Sequence, residues 1–191
     1  EVSKKTFIEN AFYYIERNDI LNEYKDVKLF PHQKKLFNYC NNPGSKLVFY
    51  QAPTGTGKTL SPIGLSQKYK IIFVCAAKHV GLQLAKACIS MNIKIAVAFG
   101  CRDTDNIRLH WFAAKESVRN RKTGGIFRVD NSVGDNVEIM ISDIQSYLPA
   151  MRYMKAFNQV EDILLYWDEP TITLDYKKHP FHNIMKQNWQ D

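Results

Sequence analysis

Apolar residues recur along this chain in two rhythms, one of helical type and one of strand type. Phe7, Ile8, Ala11, Phe12, Ile15 and then Leu21 fall at roughly helical spacing, which predicts an amphipathic helix over residues 6–24. Phe30-Pro31-His32-Gln33 opens a second helix. Pro31 is tolerated in a first turn, Leu36 and Phe37 face a core, and Asn41-Asn42-Pro43-Gly44 breaks the pattern. From there short, wholly apolar runs alternate with periodic ones. Strands are predicted at 47–50, 71–75, 94–99, 137–141 and 163–167. Helices are predicted from about Lys58, at 80–90, and after 141, where Pro149 interrupts or ends the last of them.

Several of these strands show no polar alternation, so both of their faces are buried. Separated by helices, they predict an α/β fold with a central, mainly parallel sheet and helices on both faces. The stretch 100–136 departs from this rhythm. It is polar and basic, carrying Arg102, Arg108, Lys115, Arg119, Arg121 and Lys122. Residues 108–120 suit a helix and 124–129 a hairpin, and the whole reads as an insertion over the edge or face of the sheet. The predicted organisation is an N-terminal helical extension, residues 1–27, ahead of one domain over 28–191.

Composition changes this picture in three ways. The longest apolar run, Ile71-Ile72-Phe73-Val74-Cys75-Ala76-Ala77, falls well short of the ~20 residues a membrane span needs, so no membrane partner is expected. Lys and Arg total 26 against 19 Asp and Glu, a formal charge of +7 that favours a polyanionic partner such as nucleic acid. Cys40, Cys75, Cys88 and Cys101 contain no pair with the two-residue spacing of zinc or redox motifs. Cys75 ends an apolar strand and Cys88 lies on an apolar helix face, which suits core thiols of a reducing, intracellular compartment. The opening Glu1-Val2-Ser3-Lys4-Lys5 has neither an initiator Met nor an apolar leader, as in a piece of a longer chain.

The candidate chemistry lies in two places. Ala52-Pro53-Thr54-Gly55-Thr56-Gly57-Lys58-Thr59 matches the phosphate-loop pattern of Gly, four residues, then Gly-Lys-Ser/Thr, except that Ala52 stands at the first glycine. Gly55 and Gly57 let the backbone wrap its N–H groups around phosphate oxygens. Lys58 supplies a cation for the β- and γ-phosphates, and Thr59 a hydroxyl for Mg²⁺. A predicted strand before the loop and a helix after it give the motif its required setting. The second place is Asp168-Glu169, which ends the apolar run Ile163-Leu164-Leu165-Tyr166-Trp167. A parallel strand delivers such acids to its carboxyl edge, where ligands bind in these folds. Asp168 suits Mg²⁺ and Glu169 suits an attacking water. Alone, the pair is equally a helix cap or a solvated turn.

Together these residues resemble superfamily 2 helicases. The segment 52–59 is similar to their motif I, in which Ala at the first position is usual, and Asp168-Glu169-Pro170-Thr171 is similar to their motif II. Pro170 and Thr171 depart from the common DEAD/DEAH pattern. Phe30-Pro31-His32-Gln33 resembles the upstream glutamine motif, in which Gln33 would read the adenine edge; a solvated helix glutamine is the plainer alternative. Cys75-Ala76-Ala77-Lys78, with His79 and Gln83 following, resembles the loop that grips the nucleic-acid backbone. Ser142-Asp143-Ile144-Gln145-Ser146 occupies the position of the next such loop, with Ser142 and Gln145 as its candidate contacts. The Asp-Glu-Pro-Thr box and the Lys/Asn/Tyr-rich composition are similar to helicases of large DNA viruses.

The resemblance implies a RecA-like P-loop lobe that binds ATP and Mg²⁺. Lys58, Asp168 and Glu169 would be catalytic, and Thr59 and Asp168 would hold the metal. It implies single-stranded or duplex nucleic acid, RNA or DNA, as partner, and a second RecA-like lobe in the same parent chain. A translocase or remodeller that does not unwind would share these motifs. A nucleic-acid-binding scaffold with an inactive ATP site is a further alternative.

Overall fold

The structure, a computed structural model, describes residues 29–110 and 136–170. The chain divides into two compact units, Glu1–Lys58 and Thr59–Asp191. The helix predicted over 6–24 and the hairpin predicted over 124–129 lie outside the described residues.

In the first unit, helix α1 spans Pro31–Asn41. Pro31 stands in the first turn, where its missing N–H costs nothing. Gln33, Leu36, Phe37 and Cys40 are the buried positions, a helical stripe of the expected spacing. Burying Leu36 and Phe37 is worth about 1.5–3 kcal/mol each. After Asn41 the chain leaves the helix through residues 42–44 and runs without helix or strand to Thr54. The strand predicted at 47–50 is therefore not formed. Leu47 is 74% exposed and Phe49 83%, and no ladder involves them. Their composition is that of a buried strand, but a strand exists only where a neighbouring backbone accepts its hydrogen bonds.

The second unit contains the sheet. Its strands are β1 (Lys70–Cys75), β2 (Ile95–Ala98), β3 (Arg108–Leu109), β4 (Ile139–Asp143) and β5 (Ile163–Asp168), in the spatial order β3-β2-β4-β1-β5. The pairs β2–β4, β4–β1 and β1–β5 are parallel, and β3 adds antiparallel to the edge of β2. The fold is thus α/β with a mostly parallel five-stranded sheet. The helices are α2 (Ser61–Leu65), α3 (Lys78–Ser90) and α4 (Tyr147–Phe157).

Alternation along the strands assigns the faces. Ile72, Val74, Ala96, Ala98 and Met140 point to one side and pack with Tyr147, Ala150, Tyr153 and Met154 of α4. Ile71, Phe73, Cys75, Ile95, Ile139 and Ile141 point to the other, where α3 lies with Gly81, Leu84, Ala85 and Cys88 buried. Gly81 shows how close that approach is. A Cβ there would stand 2.8 Å from Phe99 Cζ, 2.9 Å from Ile141 Cγ2 and 3.0 Å from Cys75 Sγ. Tyr166 stacks on Phe73 on the α3 side, with ring centroids 5.7 Å apart, and Trp167 meets Tyr147 at 5.3 Å on the α4 side.

Three local expectations need correction. The helix predicted from Lys58 is a 3₁₀ turn, Lys58–Leu60, followed by the five-residue α2. Ser66 ends it by donating its hydroxyl to the Ile63 carbonyl at 2.8 Å, before the polar Gln67 and Lys68. Pro149 does not interrupt α4 but stands in its first turn, the place where proline fits. Arg108 begins the edge strand β3 and not a helix, because Ile107 and Leu109 are buried and alternate with the exposed Arg108. Among the described residues, no helix is long and apolar enough to cross a membrane.

Candidate functional site

The phosphate-loop segment belongs to the first unit up to Lys58. Gly55 and Gly57 adopt φ of +77° and +76°, the left-handed region that a Cβ disfavours. The loop curls so that Thr56 Oγ1 donates to the Pro53 carbonyl at 2.7 Å. Lys58 Nζ donates to the Ala52 carbonyl and, at 3.4 Å, to that of Pro53. The ammonium is thus drawn back into the curve of its own loop, which is what a sequence with two left-handed glycines and a following lysine allows. Pro53, Thr54 and Gly55 are exposed, and Ala52, Thr56, Gly57, Lys58 and Thr59 are half-buried. The helix behind this loop is short. The dipole of five residues is little more than that of one turn, so the loop's own N–H groups and Lys58 carry most of any attraction for an anion.

Gln33 occupies the third position of α1 and reaches in two directions. Its Oε1 accepts from the Phe30 N–H at 3.0 Å, and its Nε2 donates to the Gly57 carbonyl at 3.4 Å. Next to it, His32 Nδ1 meets the Tyr50 hydroxyl at 2.5 Å.

In the second unit, three neighbouring strands end in register. Cys75 of β1 is paired with Asp143 of β4 on one side and with Asp168 of β5 on the other. Asp168 is half-buried at the end of its strand. Glu169, exposed, follows with φ of +53°, a left-handed conformation that is uncommon for a residue with a side chain. That conformation turns the chain immediately after the strand. Thr59 and Asp168 each supply a hard oxygen of the kind Mg²⁺ takes, a hydroxyl and a carboxylate. Among the described residues, no group of three or more His, Cys, Asp or Glu is gathered for a metal.

Asp143, to which the sequence pattern assigned no role, organises this edge of the sheet. Its carboxylate is buried. Oδ2 accepts from the Gly100 N–H at 2.9 Å, Oδ1 accepts from the Ser146 N–H at 2.9 Å, and Lys78 Nζ lies 3.4 Å from Oδ2. Ser146 continues the network, its Oγ accepting from the Cys101 N–H at 2.8 Å. One acid therefore ties together the loops after β1, β2 and β4. Charge-assisted bonds of this kind are worth about 1.5–3 kcal/mol each. The signal was present: Ile139-Met140-Ile141-Ser142-Asp143 is an apolar run ending in an acid, the same pattern that singled out Asp168.

Lys78 is held by this acid at the foot of α3, yet its side chain is 57% exposed. His79 and Gln145 are exposed as well. Ser142 is different. It is fully buried, and its hydroxyl donates to the Asp143 carbonyl at 2.7 Å, so Gln145 is the member of that pair with a surface to offer.

These features define the class of chain: a mostly parallel α/β sheet whose carboxyl edge carries acids and a positioned lysine, preceded by a glycine-rich loop. In comparisons with known proteins no family model, no curated protein and no solved structure matches the chain.

Proposed function

We propose that this chain is the ATP-binding, RecA-like lobe of a nucleic-acid-dependent ATPase of the superfamily 2 helicase type. The observation that carries the reading is the phosphate loop itself. The Gly-x-Gly-Lys-Thr sequence with both glycines left-handed supports it, since that backbone lets loop N–H groups face one anion, with Lys58 following directly. The loop N–H groups and Lys58 bind the β- and γ-phosphates, and the Thr59 hydroxyl is its metal-binding oxygen. Asp168, on the carboxyl edge of a parallel strand, would hold Mg²⁺, and Glu169 would orient and deprotonate the attacking water. Mg²⁺, when bound, would neutralise charge that develops on the phosphates. Lys78, His79 and Gln145 supply donors to a nucleic-acid backbone, in keeping with the net charge of +7.

A second lobe in the parent chain would bring an arginine to the γ-phosphate, a contribution worth ~10³–10⁵ in rate where it is known. The present lobe is thus expected to bind nucleotide and hydrolyse it slowly. The test is the ATPase rate of the parent protein with single-stranded RNA, single-stranded DNA, duplex or none, beside Lys58→Ala and Glu169→Gln. Stimulation by one polymer, lost in both variants, is the expected result. A rate indifferent to every polymer would remove the helicase reading, and an absence of hydrolysis would leave a binding scaffold. Strand displacement then separates an unwinding enzyme from a translocase.

A further inference from the structure

Helix α1 straps the phosphate loop at both of its ends. His32 meets the Tyr50 hydroxyl just before the loop, and Gln33 donates to the carbonyl of Gly57 at its far end. The helix has a fixed side from which to hold it, since Leu36, Phe37 and Cys40 are buried. The amide of Gln33 has one possible orientation. The Phe30 N–H needs an acceptor and the Gly57 carbonyl needs a donor, so oxygen faces the helix start and nitrogen faces the loop. The amide is pressed against the loop as well as bonded to it: a Cβ on Gly57 would stand 2.9 Å from Nε2. Only 9% of Gln33 is exposed.

Resting on the nucleotide-binding reading above, we infer that Gln33 is a positioning residue for the phosphate loop and not a reader of the base, so that the site takes nucleoside triphosphates as a class. One lone pair of its oxygen and one N–H of its nitrogen go to main-chain groups, and nine-tenths of the side chain is buried, with Nε2 turned to the loop. What Gln33 sets is the placement of Gly57, and with it the N–H groups and the lysine that follow. A ligand then gains from Gln33 through its phosphates, whatever base it carries.

The test measures binding of ATP, GTP, CTP, UTP and inorganic tripolyphosphate to the full chain, for the wild type, Gln33→Ala, Gln33→Glu and Lys58→Ala. Gln33→Glu keeps an acceptor for the Phe30 N–H, and so keeps the helix start, but has no donor for the Gly57 carbonyl. The four nucleotides are expected to bind wild type within about threefold of one another. Both Gln33 variants should weaken all five ligands, tripolyphosphate included, by a common factor of about tenfold. The inference is overturned if wild type prefers ATP by tenfold or more and Gln33→Ala erases that preference while tripolyphosphate affinity stays unchanged. Binding of none of the five ligands by wild type would instead overturn the nucleotide reading, and this inference with it.

Discussion

Cys75 sits between two acids, and its thiol records the surroundings. Burial pushes it up from the ordinary 9.0 to about 11; the Gly81 backbone hydrogen bond opposes this, and Asp168 and Asp143 add to it. Burial likewise pushes Cys88 up to about 12, opposed by a backbone hydrogen bond and assisted by Glu138. A pKa raised on folding means that the folded state holds a proton the unfolded chain gives up. The stability this supplies is complete below about pH 9 and is lost as pH rises towards 11 and 12. Each thiol should cost about 1.4 kcal/mol per pH unit in that window. A chain with Cys75→Ala and Cys88→Ala should show a flatter fall of melting temperature between pH 9 and 11 than wild type. Parallel curves would remove the two thiols as the cause. All four cysteines are buried and none is in a disulfide, in line with the reading of Cys75 and Cys88 as core thiols.

At the scale of elements, the junction of α3 with the sheet is set by one missing side chain. Gly81→Ala gains about 1 kcal/mol of helix propensity. It also forces a methyl into space bounded by Phe99, Ile141 and Cys75, and overpacking of that kind costs about 1–3 kcal/mol. Because Ile141 and Cys75 are themselves fully buried, the packing cost should win, and chemical denaturation should show a net loss of stability. A more stable variant would mean that α3 moves freely on the sheet. The strand at 71–75 was legible in the sequence because burial on both faces leaves an unbroken apolar run, and it gained one residue only; 163–167 also gained one, although it is half-buried with Leu165 exposed. Residues 47–50 carry the same signature without the pairing, since composition reports burial preference and a ladder depends on a distant neighbour. Pro149 and Arg108 were misjudged for a related reason. A proline opens or ends a helix according to where the first turn falls, and an arginine on an edge strand looks like one on a helix surface.

At the scale of the whole molecule, the tight turn at Gly55 and Gly57 was legible because its glycines are close in sequence, whereas the Asp143 network was not, because Lys78, Gly100, Asp143 and Ser146 meet only through the sheet. Those residues also separate two roles. Lys78→Ala should reduce the slope of log affinity for nucleic acid against log salt by about one, as expected for the loss of one phosphate contact. Asp143→Ala should do more. It leaves the buried Ser146 N–H unpaired, at about 1–3 kcal/mol, while water can replace the acid at the exposed Gly100, so the melting temperature should fall along with affinity. An unchanged salt slope in Lys78→Ala would take that lysine off the binding surface.

The single carboxylate of Asp143 also has a mechanical meaning. The loop after β2, the turn after β4 and the first residue of α3 all converge on this one side chain, so a change at any of the three is felt by the other two through Asp143.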